Sequence, residues 1–434
     1  VRKMLAVLTR ADQPELFAML QRLFATLVVD GEADLAAQPK AWQEIAANDL
    51  APAFWALVRS QLGYTDAEPS LRDLLVRVLV TDLCRSLDGA PPRQLAHFVL
   101  PDRALAANAS VFAARWRSDL AFFSSYNVLA RAVAQELNLA QLLASYTAEQ
   151  LAECMAFEEV ELRVVQDLKQ RIVAGAGANM DVVHGLIARR RDGHWANPLL
   201  ASASERTRAL AACYDALTAA ADFFSLKASH AAGFSFADAA TAFGQYCEYL
   251  YRFDQLYRHF HTAADAVEPS GRAVLPELRT SIENVYSGWF VPQLGAAWAK
   301  VVEGDQGLLQ RWAIPDVTPQ QAFYEREVQP LYSGGAKREF VVISDALRYE
   351  VAQELVQFTN GKNRFKASLD AMLGVLPSYT ALGMAALLPH RTLAYKESAN
   401  LDVLADGHLV ATLEQRNEHL RSVGGMAIKA EDLM

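Results

Sequence analysis

A chain of 434 residues with 52% apolar and 21% charged side chains carries enough apolar surface for two or three packed domains, which excludes one dominated by disorder. The residues before Lys337 hold 30 of the 41 basic and 38 of the 50 acidic side chains, so most of the net charge of −9 lies there and a broad basic surface for nucleic-acid phosphates is excluded. No run approaches eighteen consecutive apolar residues, and Val1-Arg2-Lys3-Met4-Leu5 lacks the apolar core of a signal peptide, so a cytoplasmic location with no membrane partner is expected.

From about Pro14 to Leu331 the pattern is helical, rich in Ala, Leu, Arg, Gln and Glu, and predicts an array or bundle of ten or more helices. Breaks are expected at Gly63, at Asp88-Gly89-Ala90-Pro91-Pro92, around Gly175 to Gly177, and at Glu268-Pro269-Ser270-Gly271. The capping box Thr147-Ala148-Glu149-Gln150 predicts the start of a long amphipathic helix to Ile172. Thr318-Pro319-Gln320-Gln321 reads as another helix start. Cys84, Cys154, Cys213 and Cys247 are isolated and read as reduced core residues. Arg189-Arg190-Arg191 reads as a solvated helix end. His259 and His261, two apart on a helix, point to different faces and do not make the four-residue metal pair. Phe122-Phe123 with Tyr126, and Tyr246, Tyr249, Phe253 and Tyr257, read as packing stripes rather than base-stacking platforms.

Ser333-Gly334-Gly335-Ala336-Lys337 marks the expected boundary between a helical interaction region, 1–335, with a possible sub-boundary near 175, and an α/β part, 336–434. Glu339-Phe340-Val341-Val342-Ile343 predicts a strand of a parallel sheet, apolar on both faces. Leu347, Val351, Leu355 and Phe358 follow at helical spacing to Asn360-Gly361, then a second extended stretch runs from Phe365 to Leu376, and Ala381 to Leu388 predicts a helix. In such a βαβ unit Asp345 and Thr380 follow the two strands on one sheet edge, where a carboxylate and a hydroxyl suit a divalent cation and a phosphate. Each residue alone reads more readily as a helix cap, and it is the pairing on one sheet edge that favours a site.

Two motifs carry more. Val341-Val342-Ile343-Ser344-Asp345-Ala346-Leu347-Arg348-Tyr349-Glu350 and Leu376-Pro377-Ser378-Tyr379-Thr380-Ala381-Leu382-Gly383-Met384, closed by Leu387-Leu388-Pro389, resemble the first two motifs of the PglZ family of bacteriophage exclusion (BREX) systems. Ser281-Ile282-Glu283-Asn284-Val285-Tyr286 with Trp289 resembles the stretch before its catalytic domain. The resemblance implies a mainly α chain leading into the first part of an alkaline-phosphatase-like domain with a mostly parallel sheet. It implies a phosphatase or phosphodiesterase, acting on nucleic acid in one version, with two divalent metals, usually zinc. On that analogy Asp345 is a metal ligand, Thr380 the metal-bound nucleophile, and Arg348 and Ser378 substrate contacts. Arg348 reads equally as the partner of Glu350 or a neighbouring carboxylate.

Further Asp and His ligands that complete such a site are not supplied here, and the chain starts without an initiator Met. The chain is therefore expected to be an inactive fragment of a longer protein. The helical region implies docking to other defence components, a DNA methyltransferase and ATPases. The alternative is a non-catalytic assembly subunit that uses the phosphatase-like fold for binding.

Overall fold

The computed structural model describes all residues except 176–178, 201–202, 268–274, 306, 336–337, 398–400 and 434. The expected break at 268–271, and parts of those at 175–177 and 333–337, lie outside the described residues. Chain contacts divide the molecule into two compact units: Val1–Ser229 with Leu256–Val285, and His230–Gln255 with Tyr286–Met434. The helical stretches 230–255 and 286–335 thus fall in the same unit as the residues after 336.

The first unit is almost wholly helical, as its periodicity predicts. The helix Ala51–Leu62 stops at Gly63, which takes a φ of 67° that other residues seldom adopt, and an added Cβ there would lie 3.0 Å from the Cβ of Asp102. Leu71–Ser86 begins at Ser70, whose hydroxyl accepts from Asp73 N–H, and ends before the break at Asp88-Gly89. Arg103–Ser118 is capped by Asp102, which accepts from Ala104 and Leu105 N–H. Phe24, Phe112, Trp116 and Tyr126 pack in the core beneath these helices, and Trp116 stacks on Phe24 at 5.4 Å. A two-residue Asp30-Gly31 turn closes the small hairpin of Val28–Val29 and Glu32–Ala33.

The capping box at Thr147 forms, but it does not open the predicted helix. Gln150 Oε1 accepts from Thr147 N–H and Thr147 Oγ1 accepts from Gln150 N–H, yet residues 148–153 make only turns. The helix begins later, as Glu158–Ala174. The buried turn is tied instead to that helix by Asp167, whose carboxylate accepts from Ala148 N–H at 3.1 Å.

Arg190 overturns the reading of the arginine triplet. Arg189 and Arg191, at the end of the helix Met180–Arg191, pair near the surface with Glu153 and Asp215. Arg190 is fully buried, donates to both carboxylate oxygens of Glu161, and donates to the carbonyls of Ala152 and Cys154 at 3.1 and 2.9 Å. Tyr214, on the helix Glu205–Ser229, donates to Glu161 as well. A buried ion pair is tolerated only when hydrogen bonds satisfy both charges, and three helices supply them here. Glu205–Ser229 is long and apolar enough to cross a membrane, but 67% of that window is buried inside the protein, which fits a core helix. Cys154 and Cys213 are buried and Cys84 and Cys247 partly so, and all four are free thiols. His261 lies beside Arg279 with its ring tilted against that of Tyr257, in a setting whose burial lowers its pKa.

In the second unit, Ala239–Gln245 passes through a π-helical turn, Tyr246–Leu250, into the helix Tyr251–Val267, whose residues from Leu256 on belong to the first unit. A second π turn, Tyr286–Phe290, leads into Val291–Gly304. Phe253 stacks on Phe290 at 4.4 Å, with Phe234 and Trp289 around them. Ala239, Val301, Leu308, Ile314 and Leu373 form one apolar core. Thr318–Pro319, read from sequence as a helix start, instead pairs in parallel with Met372–Leu373. Beyond it, Leu393–Tyr395, Val403–Ala405 and His408–Leu409 make an antiparallel sheet. Leu382, Ala385 and Leu388 pack on that sheet with Val403, Ala405 and Val410. Mainly helical architecture followed by a partial α/β part therefore stands.

One predicted element does not form. Residues 339–343 form no strand and pair with none among the described residues, and Phe340 and Val342 are 73% and 86% exposed. Strand composition alone does not make a strand: the peptide groups need a neighbour, and the parallel partner of Met372–Leu373 is Thr318–Pro319.

Candidate active site

Thr380 sits where the sequence places it. The strand Met372–Leu373 is fixed on one side by Thr318–Pro319, and Trp312 Nε1–H donates to Gly374 O at 2.7 Å as the chain leaves the strand. Gln320 then bridges the turn, accepting from Val375 N–H at 3.2 Å and donating to Gly383 O at 3.2 Å. Tyr379 is the N-cap residue of the helix Thr380–Ala386, and its hydroxyl donates to Leu401 O. Thr380 is the first helical residue, with Ser378 two positions before it, and both are exposed. Gln320 is the support that sequence reading missed, since it was assigned to a cap; no local signal marks a side chain that bridges residues more than fifty positions away.

Asp345 stands on a different footing. It lies in an exposed turn with Ala346 at a φ of 58°, and its carboxylate accepts from Ala346 N–H at 3.0 Å. It does not cap the following helix, because Arg348 is the N-cap residue of Tyr349–Asn360. With residues 339–343 unpaired, only one of the two strand ends that define a shared rim is formed, and among the described residues no hydrogen bond joins Asp345 to Thr380.

Arg348 realises its structural reading. Its Nη2 donates to Asp254 Oδ1, and its Nε lies 3.9 Å from Glu350 Oε1. Asp254 is 5% exposed and also accepts from two tyrosine hydroxyls, Tyr246 at 2.8 Å and Tyr286. Burial, then the bond to Asp254, pushes the Tyr286 phenol up to about 12, so it stays a donor; burial and Asp254 push Tyr246 up as well. Tyr349 adds a bond from its hydroxyl to Cys247 O, and Gln255 donates to Glu354. Reading Tyr246 and Phe253 as a packing stripe concealed this arrangement; the acidic Asp254 beside them was the available signal.

Among the described residues no three His, Cys, Asp or Glu side chains come together as a metal site. His390 and His419 contact the carbonyls of Leu388 and Pro389. The described residues thus supply no complete two-metal centre, and no chemical step here runs through one.

Residues 323–434 match the BREX system PglZ alkaline phosphatase-like domain. They belong to the PglZ family. The whole chain is 34% identical over 435 residues to the alkaline phosphatase-like protein BrxZ of Escherichia coli O9:H4 (strain HS), covering 49% of that protein. It is 28% identical over 377 residues to the alkaline phosphatase-like protein PglZ of Bacillus cereus (strain H3081.97), covering 87% of this chain and 42% of that one. The chain thus spans about half the length of the curated relatives it matches. No solved structure matches. The PglZ match begins at 323, so Asp254, Tyr246 and Tyr286 lie outside it while Arg348 lies within.

Proposed function

We propose that the full-length protein is a phosphatase or phosphodiesterase of a BREX phage-defence system, and that nucleic acid is among its substrates. The observation that carries this reading is the PglZ match combined with an exposed threonine hydroxyl at the turn after a parallel strand. Thr380 Oγ attacks phosphorus, forming a P–O bond as the ester P–O bond breaks and its hydroxyl proton passes to a base; water then cleaves the phosphothreonine, releasing the phosphate product and restoring the hydroxyl. Asp345 contributes one carboxylate to divalent metal binding, with zinc the favoured ion, and ligands from outside this chain complete the set. Arg348 and Ser378 contact phosphate oxygens. The helical region docks the methyltransferase and ATPases of the system, in the cytoplasm.

Turnover of bis(p-nitrophenyl) phosphate by the full-length protein with zinc or manganese tests the assignment. Asp345→Ala and Thr380→Ala are each expected to lower kcat at least about a hundredfold, and unchanged turnover in both rejects it. The 434-residue chain alone is expected to be inactive. The second reading, a non-catalytic assembly subunit, is favoured by the size of the helical portion. A full-length protein purified without metal, and not stabilised by zinc or manganese, supports it.

A further inference from the structure

We infer that Asp254 is a positioning residue for Arg348, held in place by Tyr246 and Tyr286, and that it aims the guanidinium at the phosphoryl group of the substrate. The inference rests on the phosphohydrolase reading above. Two features of the structure carry it.

The first is that both tyrosines open π-helical turns, Tyr246–Leu250 and Tyr286–Phe290. Single π turns interrupt regular helix bonding and gather at functional sites. At about 100° per residue, eight α-helical steps would leave Tyr246 and Asp254 some 80° apart around the axis. The slower winding of the π turn between them closes that gap, and Tyr246 donates to Asp254 Oδ2. Tyr286 reaches Oδ1 of the same carboxylate from another helix.

The second is the asymmetry of the pair. Asp254 is buried and accepts from two phenols as well as the arginine, while the Arg348 side chain remains 55% exposed. The guanidinium donates through Nη2 to Asp254 and Tyr286, with Nε near Glu350. A buried carboxylate anchored by neutral donors restricts the arginine to one orientation, and a charge-assisted bond of this kind is stronger than a neutral one. An oriented guanidinium binds an oxyanion without first losing side-chain freedom.

The test uses the full-length protein with bis(p-nitrophenyl) phosphate as substrate and inorganic phosphate as a binding probe. Asp254→Asn is expected to raise KM about tenfold with kcat changed less than about threefold, and to weaken phosphate binding in parallel. Asp254→Glu should recover part of the loss, and Tyr246→Phe with Tyr286→Phe, a milder change, should move KM in the same direction. A fall in thermal stability or kcat with KM and phosphate binding unchanged overturns the inference, as does no change at all. If Asp345→Ala and Thr380→Ala also leave turnover intact, the hydrolase reading fails; if they abolish it while Asp254→Asn leaves KM and phosphate binding alone, only the positioning role fails.

Discussion

His194 and Arg190 lie four residues apart and meet burial in opposite ways. Arg190 keeps its charge because it donates to Glu161 and to backbone carbonyls, while Tyr214 donates to the same Glu161 carboxylate. His194 has no such carboxylate: its Nε2 faces Asn127 Oδ1 at 2.7 Å, its ring meets Tyr126 and Trp195 edge-on, and burial, with the nearby Arg117 charge, lowers its pKa to about 4. The unfolded chain takes up a proton on this ring near pH 6.5, whereas the folded ring stays neutral until about pH 4. Between those values the unfolded state binds more protons, so the contribution is complete above pH 6.5 and is lost as the pH falls through that window. Its ceiling is about 3 kcal/mol. Urea unfolding of wild type and His194→Gln at pH 7 and 4.5 checks this: the wild type should lose roughly 2 kcal/mol more than the variant, and equal losses would refute it. Neither burial was legible in the sequence, since three adjacent arginines and a lone histidine carry no sign of what packs above them.

At the scale of elements, helices were read well and strands poorly, for a physical reason. A helix satisfies its backbone within its own segment, so Tyr349–Asn360 and Thr380–Ala386 follow from local periodicity. A strand depends on a partner from elsewhere, and residues 339–343 have the right composition without one among the described residues. The capping box at Thr147 shows the same limit in miniature: its two reciprocal bonds form, but the following residues turn away. The exposed run carries a prediction. Val342→Lys should leave the unfolding free energy of the 434-residue chain within about 0.5 kcal/mol and reduce its aggregation in light scattering, because charge on an unpaired segment blocks edge pairing. Destabilisation above about 2 kcal/mol would mean that Val342 is buried after all.

For the molecule as a whole, the family motifs at Asp345 and Thr380 were readable, but not the extent of the unit that supports them. Leu373 shares its core with Ala239, Val301, Leu308 and Ile314, all before residue 323. The partner strand Thr318–Pro319 and the Gln320 bridge also precede the matched domain. Residues 323–434 expressed alone are therefore expected to lack fixed tertiary structure, seen as lost near-ultraviolet dichroism and poor amide dispersion. A well-folded isolated segment would contradict this.

The two units are also interleaved along the chain: residues 230–255 belong to the second, 256–285 return to the first, and Tyr286 onward resume the second. During synthesis the growing chain presents Tyr246 and Asp254 long before the ribosome has made Arg348, so the ion pair closes only when a segment almost a hundred residues later emerges. A protease cut between 256 and 285 would interrupt the first unit and also sever the covalent link between the two segments of the second.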